Sequence, residues 1–355
     1  MLDITNYMME HEHEELVTCY DRTSGLRALI AIHNTTLGPS LGGTRLWQYD
    51  NSEAAILDVL RLSEGMTYKA AVAALPLGGG KSVIMADGKE QDSQIRSARL
   101  EAFGRMVERL GGRYIAAEDV GTTTDDILTV RRITKHVAGL PTEVGGSGDP
   151  SPVTAYGVME GLRALVEEVL KVDHFKGVRV NIQGLGKVGM SLASRLVSAG
   201  AKVAATDIRP EICRQAAEQW GVEIVQPESI YDLECDIFAP CALGGVINDR
   251  TLPRLKCKIV AGSANNQLEE SRHGEALHES GVVYGVDYVI NAGGLINVAH
   301  ELQGYNEQKA MAQAGQIYHT IKRMLALARD NGISEVRAAR QMALERLKSV
   351  IVQSE

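Results

Sequence analysis

Long apolar runs are missing from this chain of 355 residues. No segment approaches the roughly 18 apolar residues of a membrane span, and the opening MLDITNYMMEHEHEEL has no apolar stretch of the kind a secretory leader carries. Excess positive charge is missing too. The chain has 37 Lys and Arg against 45 Asp and Glu, a net charge of -8, with no basic block, which argues against a nucleic-acid groove or an anionic membrane surface as partner. The five cysteines (Cys19, Cys213, Cys235, Cys241, Cys257) form no C-x-x-C pair and no zinc-type spacing. They are expected to be free thiols in a reducing compartment, which makes the cytoplasm the expected location and leaves no metal site in view. His11 and His13, two apart in HEHEE, are expected on a solvated face rather than around an ion. Aromatic residues make up only 5%, so the apolar 45% comes mainly from Ala, Val, Ile and Leu.

Glycine, by contrast, is plentiful. Many of the 36 sit in short clusters, as where backbone turns sharply or passes close to a ligand. The length exceeds what one core fills, so two domains are expected. The first part mixes strand candidates (26–33, 82–85, 114–117) with helical stretches near 53–74, 91–110 and 124–137. A Gly/Pro/Ser-rich run, GLPTEVGGSGDPSP at 139–152, reads as a boundary, and a helix follows at about 153–171. Strands at 178–183, 202–207, 236–239, 258–261 and 282–285 then alternate with helices such as 187–199 and 210–219, the pattern of a parallel, doubly wound sheet. Two closing helices show apolar residues at helical spacing, the last through Val336, Ala339, Ala343, Leu347 and Val350.

The most specific local motif is VRVNIQGLGKVG. Gly184, Gly186 and Gly189 form G-x-G-x-x-G between a strand and a helix, and Asp207 ends the next strand near the expected offset of roughly 20 residues. The first glycine permits a tight turn, the second admits a pyrophosphate, and the third packs helix on strand. The anion then meets the helix N-terminus. Asp207 suits ribose hydroxyls and repels a 2′-phosphate, favouring NAD over NADP, with Arg209 as a counter-signal. The nearby LGGGKS is no phosphate-binding P-loop. Leu75 stands where that motif needs glycine, and a strand follows it.

Three ionisable residues of the first part keep unusual company. Lys69 shares a helix face with Leu62, Met66 and Ala73, a face expected to point inward. Lys81 follows three glycines, whose missing side chains are expected to let ligands approach, and a desolvated lysine beside another cation can serve as a base near neutrality. Asp119 ends the strand RYIAA, where it could balance the lysines. Its neighbour Glu118 competes for that role, and alternation puts the two on opposite faces.

The segments GPSLGGTR, GMTYKAA, LGGGK, AEDVGTT, GDPSPVTAYGV, GLGKVG, CDIFAPCALGG, GSANNQL and DYVINAGGLINVA run in order through nearly the whole chain. Together they resemble the glutamate/leucine/phenylalanine/valine dehydrogenase family, its leucine and branched-chain members above all. The resemblance implies an α/β fold of two domains with a cleft between. A substrate domain at 1–138 would be joined by a last helix, about 331–355, and an NAD-binding Rossmann-type domain would span 139–330. It makes Lys69 the holder of the substrate carboxylate, Lys81 the catalytic lysine and Asp119, rather than Glu118, the proton relay. Gly42, Gly43 and Asn291 would line the substrate site, and Leu41, Ala117, Leu295 and Val298 its uncharged side-chain pocket. Thr154 would lie near the nicotinamide and Asn266 near its ribose, Ala239 and Pro240 in a loop passing over the cofactor, and Ala264 would also bind it. Gly184, Gly186, Lys187, Val188, Gly189 and Asp207 would hold the rest. The implied activity is reversible, NAD-dependent deamination of apolar L-amino acids by a homo-oligomer, an octamer in many members. Two other readings stay open, a dehydrogenase for aromatic amino acids and a non-catalytic NAD-binding regulator; a hydroxy-acid dehydrogenase would want a histidine base beside a carboxylate, not two lysines around a triple glycine.

Overall fold

The computed structural model describes residues 3–354; Met1, Leu2 and Glu355, which the expected domain ranges include, lie outside the described residues. Two compact units form. The first takes residues up to Asp149, then Val298–Asn306 and the chain from Ala343 on, and the second takes Pro150–Asn297 and Glu307–Met342.

The first unit contains α1 (Ile4–Glu10), β1 (Glu15–Asp21), β2 (Leu26–Asn34), β3 (Ser40–Trp47), α2 (Ser52–Val72), β4 (Gly78–Met85), α3 (Ser93–Arg109), β5 (Tyr114–Glu118) and α4 (Thr124–Arg131). Its sheet runs β1-β2-β4-β3-β5, with β2 antiparallel to β1 and β4, and β3 parallel to β4 and β5. Side chains alternate across it. Ile30, Ile32, Ile84, Tyr114 and Ala116 pack with Phe103, Ile127 and Val130 of α3 and α4, while Leu29, Ala31 and Val83 meet Ala55, Val59 and Leu60 of α2. The odd-numbered residues of β3, β4 and β5 therefore face α2. Leu41, Gly43, Arg45, Lys81, Ala117 and, one step past its strand, Asp119 share that side. The helix expected at 124–137 stops at Arg131, because the chain then runs beside β5, with Ala138 N–H donating to the Ala116 carbonyl at 2.8 Å.

The first unit extends past residue 138 for a local reason. The Glu301 carboxylate accepts from the backbone N–H groups of Gly139 and Ser147, both at 3.0 Å, and from Leu140 at 3.2 Å. The glycine-rich run up to Asp149 is thereby fastened to the segment Val298–Asn306 within the same unit.

The second unit contains α5 (Ser151–Leu165), β6 (Arg179–Gln183), α6 (Lys187–Ser198), β7 (Lys202–Thr206), α7 (Pro210–Trp220), β8 (Glu223–Ile224), β9 (Ile237–Pro240) and β10 (Ile259–Val260). It continues through α8 (Arg272–Glu279), β11 (Val283–Tyr284), α9 (Asp287–Ile290) and most of α10 (Gly293–Glu301), then α11 (Glu307–Gly315) and α12 (Ile317–Asn331). The last helix, α13 (Glu335–Ser354), belongs to the first unit only from Ala343 on. The six strands are all parallel in the order β11-β10-β9-β6-β7-β8. Counted from β6, that is the doubly wound order whose direction reverses between its first and fourth strands, here β6 and β9, and ligands bind beyond the strand ends at such a reversal.

HEHEE does not form a solvated face. It links α1 to β1, and His13 and His33 are buried side by side, ring centroids 4.7 Å apart. His13 Nε2 meets the Leu60 carbonyl at 3.0 Å, and His33 bridges Thr67 Oγ1 (2.7 Å) and the His11 carbonyl (2.9 Å). Burial, then the charge of His13, pushes His33 down to about 4. The unfolded chain takes up this proton near pH 6.5, whereas the folded one does so only near 4. This contribution to stability is therefore complete above about 6.5 and declines by about 3 kcal/mol as pH falls toward 4. Urea unfolding at pH 7, 5 and 4 is expected to show this slope, flattened in His33→Gln; equal slopes in both proteins would refute it.

Candidate active site

Lys81 lies in β4 and is only 6% exposed. Its Nζ stands 2.7 Å from Oδ2 of Asp119, and Arg45 Nε reaches the same oxygen at 3.2 Å. Burial lowers the proton affinity of Lys81, partly opposed by Asp119, with Arg45 adding to the lowering. Burial works against the charge of Asp119, but Lys81 and then Arg45 outweigh it and hold its carboxyl below the usual range. Glu118 points away, exposed and accepting from Thr124 Oγ1 at 2.7 Å. This arrangement can hold an ionised carboxylate beside an amine able to give up its proton.

The triple glycine before Lys81 serves a different purpose from the one expected. A Cβ on Gly79 would lie 2.1 Å from the Thr67 backbone nitrogen, and one on Gly80 would lie 2.8 Å from the Tyr114 ring. The space is filled by α2 and by the core, so these glycines let helix and strand close on each other. In β3 a Cβ on Gly42 would strike the Gly80 carbonyl, and one on Gly43 would lie 2.7 Å from Asp119 Cβ. Leu41 and Ala117 are buried on the face that carries Lys81. Lys69 occupies the last turn of α2, but not on the inward face. That face is Ala55, Val59, Ser63, Thr67 and Ala70, whose small residues fit against Gly79, whereas Leu62, Met66, Lys69 and Ala73 form a half-buried flank.

In the second unit the three motif glycines differ in surroundings. Gly184 has φ +103°, a turn favouring glycine, and a Cβ there would meet Ala242 at 2.6 Å. Around Gly186 nothing lies within 4 Å of such a Cβ, which leaves backbone open to a ligand at the N-terminus of α6, where no side chain caps the helix. Gly189 presses on the Gly184 carbonyl. Lys187 is exposed beside them and Val188 half-buried. These residues fit a dinucleotide pyrophosphate. Asp207 accepts the Leu185 N–H at 2.8 Å and takes Arg209 by its backbone N–H (3.0 Å) and Nε (2.9 Å). That contact holds the Asp207 carboxyl down at about 2.

Asn291 is buried, its amide donating to Asn265 Oδ1 at 2.9 Å, while its own Oδ1 is buried with no hydrogen-bond partner. Ala239 and Pro240 are not in a loop. They end β9, paired with Ile182 and Gln183 of β6, and the loop begins at Cys241. Thr154 is buried and donates to the Pro150 carbonyl at 2.8 Å. Ala264 is buried, and Asn266 is exposed with φ +50°. In α10, Leu295 is buried and Val298 half-buried.

The sequence pattern described as "Glu/Leu/Phe/Val dehydrogenase, dimerisation domain" matches residues 13–136, and that described as "Glutamate/Leucine/Phenylalanine/Valine dehydrogenase" matches 145–217 and 209–353. The chain belongs to this family. It is similar to leucine dehydrogenase of Thermoactinomyces intermedius, 51% identical over 347 residues, 98% of this chain and 94% of that one. Leucine dehydrogenase of Bacillus cereus is 50% identical over 349 residues, again 98% and 94% of the two chains. Among solved structures, that of L-tryptophan dehydrogenase from Nostoc punctiforme matches with a TM-score of 0.86 at 42% identity, covering 98% of this chain and 99% of that one. A dehydrogenase of this family with a glycine-turn nucleotide unit uses a nicotinamide dinucleotide, and its substrates are small molecules. No helix among the described residues is long and apolar enough to cross a membrane, and all five cysteines are free.

Sequence reasoning missed the ring of groups behind Asp119. Arg45 NH1 donates to Asp58 Oδ2 at 2.9 Å, and Tyr49 OH donates to that same oxygen. The one signal available was β3 itself. SLGGTRLW is a strand interrupted by glycines, which weaken a strand pattern, and once it is placed its alternation puts Arg45 beside Asp119 in this dehydrogenase.

Proposed function

We propose that this amino-acid dehydrogenase uses NAD to deaminate small apolar L-amino acids reversibly, leucine foremost, releasing a 2-oxo acid and ammonium. The observation that carries the reading is a buried lysine of weakened proton affinity, Lys81, 2.7 Å from an ionised carboxylate, Asp119. NAD, which Gly184, Gly186 and Gly189 would hold at the glycine turn, would supply the hydride acceptor for the α-carbon. Lys69 holds the substrate carboxylate, so that orientation supplies much of the rate. Lys81 takes a proton from the water that attacks the resulting iminium carbon, and Asp119 passes it to the departing amine. The substrate ammonium first gives up one proton to solvent, so that hydride loss from the neutral amine leaves the iminium; one water is consumed and that one proton released per turnover. Asn291 Oδ1 offers an unspent acceptor suited to the substrate ammonium.

Leu41, Ala117, Leu295 and Val298, the positions the family likeness gives to side-chain choice, carry no charge and so offer no ionic partner to a glutamate carboxylate. Asp207 favours NAD over NADP. We extend the proposal to a cytoplasmic homo-oligomer, an octamer on the family likeness; a family description naming a dimerisation domain supports self-association. Light scattering on the purified chain tests it.

The deciding experiment follows NADH absorbance with leucine, valine, isoleucine, phenylalanine, glutamate and 2-hydroxyisocaproate. Turnover is expected with the branched-chain amino acids and not with the hydroxy acid. Phenylalanine outpacing leucine would move the assignment to the aromatic members. Reduction driven by the hydroxy acid alone, or by nothing, would remove deamination altogether.

A further inference from the structure

Two cations converge on one carboxylate oxygen in the first unit. Asp119 Oδ2 lies 2.7 Å from Lys81 Nζ and 3.2 Å from Arg45 Nε. The two cations are not equivalent. A guanidinium stays charged at every working pH, whereas a buried amine can lose its proton. Arg45 is itself divided, since NH1 donates to Asp58 Oδ2 at 2.9 Å, an oxygen that also accepts from Tyr49 OH. The guanidinium thus bridges two carboxylates, with one end on the oxygen that also takes the lysine.

We propose that Arg45 is a positioning residue for the reaction: by occupying Asp119 it prevents that carboxylate from acting as a full counter-ion to Lys81, and so leaves the amine free to act as the base. The proposal rests on the deamination reading, in which Lys81 is the base. A carboxylate 2.7 Å from an ammonium would by itself stabilise the protonated form and spoil the base. A fixed positive charge on the same oxygen cancels part of that attraction. Asp58 sets how much, because the more of Arg45 it holds, the less falls on Asp119. Tyr49 steadies Asp58. Among the groups of this region, Arg45 comes from β3, Lys81 from β4, Asp119 from the end of β5 and Asp58 from α2, with Lys69 on the half-buried flank of α2. Tyr114 lies on the opposite face of the sheet, donating to the Gly42 carbonyl at 2.9 Å.

The consequence is a pair of shifts with opposite signs. Activity requires unprotonated Lys81, so kcat/KM falls on the acid side as pH drops through the Lys81 pKa. In Arg45→Gln the lysine holds its proton more tightly. The acid limb is expected to move up by about one pH unit, with about tenfold lower kcat/KM at pH 7 that recovers at alkaline pH. In Asp58→Asn the whole guanidinium falls to Asp119, and the limb is expected to move down. Arg45→Lys, which keeps a cation, should bring the limb most of the way back. The test is the pH profile of kcat/KM for leucine in the full-length wild type and the three variants. A loss of rate with the limb unmoved in Arg45→Gln would make Arg45 structural and overturn the proposal; should Arg45→Gln fail to fold, Arg45→Met is read in its place, and an Asp58→Asn limb that stays put or moves up overturns the proposal as well, since loss of the Asp58 charge adds to the downward shift. A wild type that deaminates no amino acid is a different outcome, which would sink the parent reading.

Discussion

Lys81→Ala is expected to lose leucine-dependent NADH formation by about 100- to 10,000-fold, the range removed with a positioned acid–base group, while NAD still binds. The amine is buried, 7% exposed in its side chain, and Arg45, the other cation on Asp119, stays charged and cannot serve as a base in its place. The fold should tolerate the change, because Asp119 keeps Arg45 as a partner and the truncated side chain is aliphatic. The nucleotide turn belongs to the other unit, so NAD binding by fluorescence titration should persist. Small primary amines added to the variant should restore part of the rate, since the cavity left is the shape of the missing side chain. In the wild type the rate should rise with pH as Lys81 loses its proton. Leucine turnover within a fewfold of wild type in Lys81→Ala would end the assignment of the base.

The second large effect concerns the coenzyme. Asp207 is ionised at any working pH, its carboxyl held at about 2 chiefly by Arg209. On the proposed reading it does two things at once, repelling a 2′-phosphate and neutralising the nearby cation that could bind one. Asp207→Ser removes both barriers and leaves Arg209, about half exposed, free to meet the phosphate. The ratio of kcat/KM for NADP over NAD should rise by about 100-fold, equivalent to about 3 kcal/mol. Adding Arg209→Ala should cancel most of the NADP gain without restoring NAD. An unchanged ratio in Asp207→Ser would mean that neither residue reads the ribose.

How much of this was legible before any coordinates depended on how local the cause was. The glycine turn was fully legible: φ at Gly184, the open backbone at Gly186 and the contact at Gly189 all arise within six residues. The strand–helix alternation of the second unit was legible for the same reason, since buried parallel strands announce themselves as short apolar runs. Alternation along β5 was enough to separate Glu118 from Asp119, but not to choose between them. The face carrying Lys69 was misjudged, because spacing defines a stripe on a helix and not which stripe meets the sheet. The small residues Ser63 and Thr67 won that place through their fit to Gly79. HEHEE looked like surface and is half core, an outcome decided by α2 packing over it.

By itself the sequence determined the elements with strong periodicity, the nucleotide turn and the family, because these rest on contacts between near neighbours in the chain or on motifs kept in order. Tertiary structure alone decided the company of Lys81. Arg45 and Asp119 stand 74 positions apart and meet because β3 lies between β4 and β5, an order no local pattern encodes. Charged residues are common along any chain. Only burial, which removes water from between them, turns three of these into a set whose proton affinities depend on one another.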